Sequence, residues 1–438
     1  MTITALPTDP FSRRLQKIGQ LINQGALPQA ASELNAAIKL FPEDPRVFIQ
    51  GSRLAEAAGN AKGAEEAMRK AVSLNPAWSV SATELAALLS RLNRSDEAME
   101  QARKAVALEP DNTDLLIRVV DVARRATQSA QAVAWLRQLS ALRPGSLQVK
   151  NMIARDLRLQ GDMAQAMAMY EEILAVDPHD RDSLLGRAQL AMTAGDRAGA
   201  VRDCTTLVTL DPANETFQFW KDVAEGRAPT RLPVEMARTT HDNIADRYEQ
   251  YMVKQHNYQL PKVMAELIQA RFNDLAFNVL DLGCGTGLLG LFLGKLQGAM
   301  VGVDASEKML QQAVKHQLYN RLHNVNLLDA LQATPDALYH VIAACDTFPY
   351  VGDLSQAIPN ALRILRPDGF LVFSCETASE QESDLMLRAS LRFAHKASHV
   401  ESLCKAAGFD TVEVIDVPLY YVDRNPVSGF IVVAHKPA

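Results

Sequence analysis

Residues 30–76 read AASELNAAIKLFPEDPRVFIQGSRLAEAAGNAKGAEEAMRKAVSLNP, and the proline that ends this stretch stands 34 residues after Pro42. Pro110, Pro144, Pro178 and Pro212 continue the same interval. Two other positions keep it: an Ala twelve residues before each proline (Ala30, Ala64, Ala98, Ala132, Ala166, Ala200), and an aliphatic residue two before it (Leu40, Leu74, Leu108, Leu142, Val176, Leu210). Chance in an Ala-rich chain does not account for the joint pattern. A fixed period of this length marks stacked helical hairpins. In each unit the small Ala lets two helices approach closely, the aliphatic residue is expected to pack beneath, and proline stops the second helix. Gly25, Gly59, Gly161 and Gly195 sit five residues before the Ala, where the turn inside the hairpin needs a left-handed residue. Asn93 and Thr127 take that place in the third and fourth units, and Asn tolerates it.

Over roughly residues 11–214 these units resemble the tetratricopeptide repeat (TPR) family. The resemblance implies a right-handed superhelix whose concave groove binds a protein or peptide. In that geometry the inward positions include Arg53, Arg91, Arg124, Arg125, Asn151, Arg155 and Arg158, the expected substrate or partner contacts. Arginines on one face favour an acidic peptide or a free carboxylate. Glu56, Asp114 and Asp121 fall on the same face, so a charge-balanced surface is the alternative.

The 438 residues are 48% hydrophobic and 22% charged, an ordinary globular composition with room for two or three domains. A net charge of -6 argues against nucleic acid as a partner. No apolar run reaches the roughly 18–20 residues that cross a bilayer, and the opening MTITALPTDPFSRR lacks the apolar core of a signal peptide. A cytoplasmic protein with no membrane partner is expected. Oligomeric state is not written in these patterns. Five cysteines, Cys204, Cys284, Cys345, Cys375 and Cys404, are odd in number and lack CxxC spacing, so reduced, buried thiols are expected.

After Pro212 the period stops. The segment NETFQFWKDVAEG reads as a helix capping the last repeat, and GRAPTRLP (226–233) as a linker. Beyond it, helix-like segments alternate with Val/Ile/Leu-rich runs: 278–282, 299–304, 324–330, 339–346, 369–376, 412–422 and 429–436. Strands alternating with helices predict a doubly wound, mostly parallel sheet. The expected organisation is α followed by α/β: an array over 11–225, a linker over 226–235 and a sheet domain over 236–438.

The first of those runs leads into Asp281-Leu282-Gly283-Cys284-Gly285-Thr286-Gly287 and then the apolar LLGLFLGKL. Glycines in a strand-to-helix turn let the backbone approach a ligand and present helix amides to it. Gly285-x-Gly287-x-x-Gly290 also satisfies the dinucleotide fingerprint, so NAD is the competing reading. Either cofactor would use Asp304, at the end of the second strand, for ribose hydroxyls. Asp281 suits a positively charged aminoacyl group better than a pyrophosphate, which it would repel. Asp329-Ala330 is read at the end of the third strand, and the loop 423–429 implies an antiparallel hairpin in place of a last crossover helix.

Together these features resemble the class I S-adenosylmethionine (SAM) methyltransferases, and more closely the bacterial group that carries TPR repeats before a Rossmann-like, seven-stranded catalytic domain. The tail strengthens it: Phe373-Ser374-Cys375-Glu376, Leu391-Arg392-Phe393-Ala394-His395 and Pro426-Val427-Ser428-Gly429 match that group. His340 and Asp368 depart from it. The resemblance implies transfer of a methyl group from SAM, leaving S-adenosylhomocysteine. It implies that Asp281, Gly283, Gly285 and Gly287 hold the methionine part, Asp304 the ribose, Ala305 and Met309 the adenine faces, and Asp329 and Ala330 its edge. Tyr248 matches an aromatic residue that closes over the cofactor. A protein or peptide acceptor recruited by the repeats, a small-molecule acceptor, and a non-catalytic adaptor are the functions it leaves open.

Methyl transfer from a sulfonium is an in-line displacement, for which alignment and exclusion of water come first and a base is optional. Asp346, at the end of the fourth strand, is the expected substrate-facing carboxylate, with a helix N-cap as the alternative. His395 is a candidate base or carboxylate binder, with Arg392 three residues earlier on the same expected helix. His395-x-x-x-His399 has metal-ligand spacing but no acid between and no obvious third ligand, so no metal site is expected.

Overall fold

The computed structural model describes residues 9–438; the first eight, part of the opening MTITALPTDPFSRR, lie outside the described residues. The chain divides into two compact units, Met1–Asp203 and Cys204–Ala438.

Among the described residues, every element of the first unit is a helix. Pro10–Asn23 pairs with Leu27–Leu40, Pro45–Ala57 with Ala61–Leu74, Ser79–Arg91 with Ser95–Leu108, Thr113–Arg125 with Ser129–Leu142, and Leu147–Leu159 with Met163–Val176. Helices Arg181–Ala194 and Arg197–Leu210 follow at the same spacing, the unit boundary falling inside the last. All six repeating alanines have no exposed surface. Gly25, Gly59, Gly161 and Gly195 have φ between 72° and 84°, and Asn93 and Thr127 take φ of 60° and 55° in the equivalent turns. Residues before the prolines, such as Phe41, Asn75 and Glu109, leave the helix at φ of -137°, -144° and -138°, the extended region that a following proline imposes.

The aliphatic position two before the proline is exposed in four of the six units and only half-buried in the other two, at Leu74 and Leu210. Leu40, Leu108, Leu142 and Val176 are exposed. Each ends its helix, and the face turned toward the partner helix is three residues earlier, at Ala37, Ala71, Ala105, Leu139, Ile173 and Leu207, all fully buried.

The second unit is built on a nine-stranded sheet. Parallel strands β1 (Val279–Leu282), β2 (Met300–Asp304), β3 (Arg321–Asn324), β4 (Tyr339–Ala344) and β5 (Leu365–Thr377) lie in the order β3-β2-β1-β4-β5. Short β6 (Leu385–Leu387) and β7 (Phe393–His395) attach to the carboxyl end of β5. The long hairpin β8 (Thr411–Val422) and β9 (Asn425–His435) completes the sheet, β9 lying antiparallel between β5 and β8. The seven main strands therefore run β3-β2-β1-β4-β5-β9-β8, the sheet of a class I methyltransferase. Apolar layers cover both faces: Leu280, Ile342, Phe373 and Val432 belong to one, Val279, Val341, Val372 and Ile431 to the other, as alternation along buried strands requires.

Three expectations change here. Residues 324–330 are not the third strand; that strand is the earlier Arg321–Asn324, and Leu327–Ala333 is a helix whose N-cap Asn326 accepts from the Leu328 amide. The segment around Arg392 and His395 is strand β7 and the turn before it, because the overlong β5 supplies Glu376 and Thr377 as pairing partners. The hairpin loop is shorter than 423–429: Asp423 and Arg424, both at positive φ, make a two-residue turn between paired Val422 and Asn425. The segments expected as cap and linker pack within the second unit. Phe219, Leu232 and Phe393 form one buried cluster, and the amide of Asp353 donates to the carbonyl of Thr230 at 2.8 Å.

Candidate active site

Strand order reverses between β1 and β4, and ligands of open α/β sheets bind beyond the strand ends at such a point. A cavity of roughly 1010 Å³ opens there. Its walls come from the loop after β1 (Gly283, Gly285), the end of β2 (Asp304 to Ser306, with Met309), the helix after β3 (Leu327, Leu328, Asp329), the loop after β4 (Cys345 to Thr347, Tyr350) and residues 215–248. A pocket of about 40 Å³ adjoins it, sharing Tyr248, Gly283, Gly285 and Cys345 and adding Asp281 and Tyr258.

Asp281 is buried. Its Oδ2 accepts the hydroxyl of Tyr319 at 2.7 Å, while its Oδ1 has no hydrogen-bond partner. Burial pushes its carboxyl up to about 7. Asp304 ties the glycine loop to the end of β2, Oδ2 accepting the Gly285 amide at 2.9 Å and Oδ1 the Ser306 amide at 2.8 Å. A carboxylate accepts about four hydrogen bonds, so two sites remain for a ligand. Gly285, at φ of 54°, would carry its Cβ into open space, with nothing within 4 Å. Gly283 is required for a different reason: a Cβ there would meet the Thr347 side chain at 2.4 Å.

Of the residues expected at the cofactor, Tyr248, Asp281, Gly283, Gly285, Asp304, Ala305, Met309 and Asp329 line the cavity or its annex. Gly287 and Ala330 do not. Gly287 is the left-handed start of the helix after the loop, and a Cβ there would press on Tyr319 at 3.1 Å. Ala330, partly buried, packs against the apolar core on one face of the sheet. Tyr319, Ser306, Thr347, Tyr350 and His241 were not among the expected residues; Tyr319 in particular lies in the polar run KHQLYNRLHN (315–324), which gives no sign of its bond to Asp281.

Asp346 lines the cavity at φ of 54°, and its amide donates to Ser374 Oγ at 2.9 Å. It is no helix cap. Arg392 donates to it through Nη2 at 2.5 Å and to Glu376 through Nε at 2.9 Å, with Tyr350 and Tyr420 rings at 5.0 and 5.3 Å from the guanidinium carbon. Although burial opposes its charge, the Asp346 carboxylate holds Arg392 well above its usual range. Both ends of the guanidinium are spent, and it does not line the cavity, which overturns its reading as a substrate binder. His395 is also displaced from the site. Its Nε2 donates to the carbonyl of Gly352 at 2.7 Å, its Nδ1 is buried without a partner, and burial drops it to about 4, leaving a neutral core ring.

In the first unit the charge-balanced alternative describes most of the expected groove residues. Arg53 donates to buried Glu84 at 2.8 Å, Arg91 to Glu56 at 2.5 Å and Arg124 to Asp156 at 3.0 Å. Arg155 lies 3.9 Å from Asp156, Asn151 bridges Asp180 and Ser183, and Arg158 sits against Tyr170. Arg125 is engaged too. Asp114 pairs with Arg143 at 3.7 Å rather than with these arginines. Among the described residues no helix is long and apolar enough to cross a membrane.

Sequence models of the tetratricopeptide repeat match residues 81–112 and 151–215, and the model described as a methyltransferase domain matches residues 280–371, from β1 through β5. The chain carries tetratricopeptide repeats followed by a class I methyltransferase domain. Among curated proteins, the ubiquinone biosynthesis O-methyltransferase of Pasteurella multocida is 33% identical over 131 residues, 27% of this chain and 54% of that one. The protein of the same name from Coxiella burnetii (strain Dugway 5J108-111) is 34% identical over 99 residues, 22% of this chain and 42% of that one. The chain thus spans about half the length of the curated relatives it matches. The solved 1,6-didemethyltoxoflavin-N1-methyltransferase of Burkholderia thailandensis is 18% identical with a TM-score of 0.38, over 48% of this chain and 93% of its own.

A methyltransferase domain of this class takes S-adenosylmethionine as methyl donor, and the residues present fit it. An unpartnered buried carboxylate oxygen on Asp281 answers an ammonium, spare acceptor sites on Asp304 answer a ribose diol, and the open side of Gly285 leaves room for the chain between them.

Proposed function

We propose that this protein is a SAM-dependent methyltransferase acting on a small molecule, with the repeat array docking a polypeptide partner. The observation that carries the reading is the Asp281 carboxylate: buried, unpartnered at Oδ1 and facing the annex of the cavity, it is costly unless a cation meets it. When bound, SAM supplies an electrophilic methyl on a sulfonium. The chain's own residues do the rest. Asp281 and Asp304 orient the two ends of the cofactor, the glycine loop lets its backbone approach, and Tyr248 with residues between 229 and 238 lines the side of the cavity facing them. Asp346 is committed to Arg392, which it holds against the Tyr350 ring, and is not the base.

The O-methyltransferase names of the relatives support a small acceptor. A protein acceptor recruited by the array is the second reading, favoured by the repeat matches themselves. Incubating the full chain with methyl-labelled SAM and a lysate, then separating label by size, decides between them. Label in the small-molecule fraction is expected; label confined to protein would move the function to the second reading.

A further inference from the structure

Helix Val234–Asp242 carries His241 into the wall of the cavity. Its Nδ1 lies 2.8 Å from the carbonyl oxygen of Ala237, one turn back. A carbonyl only accepts, so Nδ1 bears a proton, and in the neutral form of the ring the lone pair is on Nε2. No hydrogen bond from the described residues engages Nε2. The ring stands edge-on to Tyr350, 4.9 Å between centroids, and 6.3 Å from Tyr248, and it lines the same cavity as Asp304. It therefore sits between the cofactor end of the cavity, marked by Asp304, and the acceptor end, marked by Tyr350 and Asp346. Other ionisable groups on that wall are unsuited to take a proton. Burial holds Tyr248, Tyr350 and Cys345 protonated, and Asp346 is occupied by Arg392.

We propose that His241 Nε2 accepts the proton of the methyl acceptor, and that the acceptor is accordingly a weakly acidic hydroxyl of the phenol class. This rests on the methyltransferase reading above. In the step, the acceptor oxygen forms a bond to the methyl carbon as the carbon–sulfur bond breaks. The bonding pair stays on sulfur, which becomes a neutral thioether, and the hydroxyl proton passes to Nε2 and then to solvent. Asp304 at the end of β2, Tyr350 and Asp346 after β4, Tyr248, and Arg238 and Asp242 on its own helix are the charged or titratable groups around the ring. Asp242 is itself engaged, accepting from Ser306 Oγ at 2.5 Å.

The test loads the full chain with S-adenosylhomocysteine and titrates 4-nitrocatechol below the pH at which the free phenol ionises. Bound probe is expected to show phenolate absorbance. The same titration with His241→Asn, whose amide still reaches the Ala237 oxygen but which has no Nε2, is expected to show the neutral phenol. Nitrogen NMR of histidine-labelled protein is expected to report the Nδ1–H tautomer for His241. With 4-nitrocatechol as acceptor, turnover falls by roughly 10²–10⁴ in the variant. A phenolate signal that survives His241→Asn, an Nε2–H tautomer, no binding of 4-nitrocatechol, or loss of SAM binding in the variant each overturns the proposal. Calorimetry with SAM separates the two levels: if wild type binds SAM but the probe never ionises, only the proton acceptor falls; if wild type does not bind SAM, the methyltransferase reading falls with it.

Discussion

Arg392 stands between two carboxylates that would otherwise be buried bare, Asp346 and Glu376. Removing one member of such a group leaves uncompensated charge, so Arg392→Met is expected to lower stability by about 3–5 kcal/mol, read by urea denaturation. A substrate-binding arginine would instead raise KM with little change in stability. Asp281 makes a prediction of opposite kind. Its folded carboxyl sits at about 7, above the roughly 3.9 of an unfolded chain, so the fold holds its proton more tightly than the unfolded state does. The ligand-free protein is then most stable with Asp281 protonated and loses stability as pH rises from about 4 to about 7, by at most about 4 kcal/mol from this residue. Asp281→Asn is expected to flatten that slope in thermal denaturation across this pH range; an unchanged slope would place the carboxyl's titration elsewhere.

Thr127 shows what the repeating element demands. Its φ of 55° falls where four sister turns have glycine, and a β-branched residue is strained there. Thr127→Gly is expected to stabilise the array by about 1 kcal/mol, visible as a higher denaturation midpoint; a loss would mean the threonine hydroxyl, bonded to the Ala126 carbonyl at 2.7 Å, outweighs the strain. The helix pairs, their turns and the sites of their tight packing were legible because they are local: a 34-residue period, one small residue, one left-handed position. The exposed Leu40 and Val176 were misread because conservation of type along the period says nothing of which side of a terminal turn faces the partner. Residues 324–330 were misread because a short apolar run suits strand and helix alike, and Asn326 decides between them by capping. Strand β7 was not legible at all, since it exists only through pairing with the distant end of β5.

At the scale of the whole molecule, the order of parts was legible, and so was the cofactor end of the cavity. Asp281, Gly283, Gly285 and Asp304 are carried by contiguous strand-to-loop junctions, which sequence shows directly. The acceptor end was legible only at Asp346, because His241 comes from a helix about a hundred residues before the loop that carries Asp346 and Tyr350, and the commitment of Asp346 to Arg392 depends on a turn before a strand that pairing alone creates. The central claim is that the cavity at the β1–β4 switch point is a SAM site whose grip depends on an ionised Asp281. The most direct measurement is calorimetric titration of the full chain with SAM at pH 8 and at pH 5.5. One-site binding that weakens at the lower pH is expected, since protonating Asp281, and Asp304 whose carboxyl burial also raises, removes the charge that meets the ligand. No binding at pH 8, or affinity that is equal or greater at pH 5.5, would contradict it.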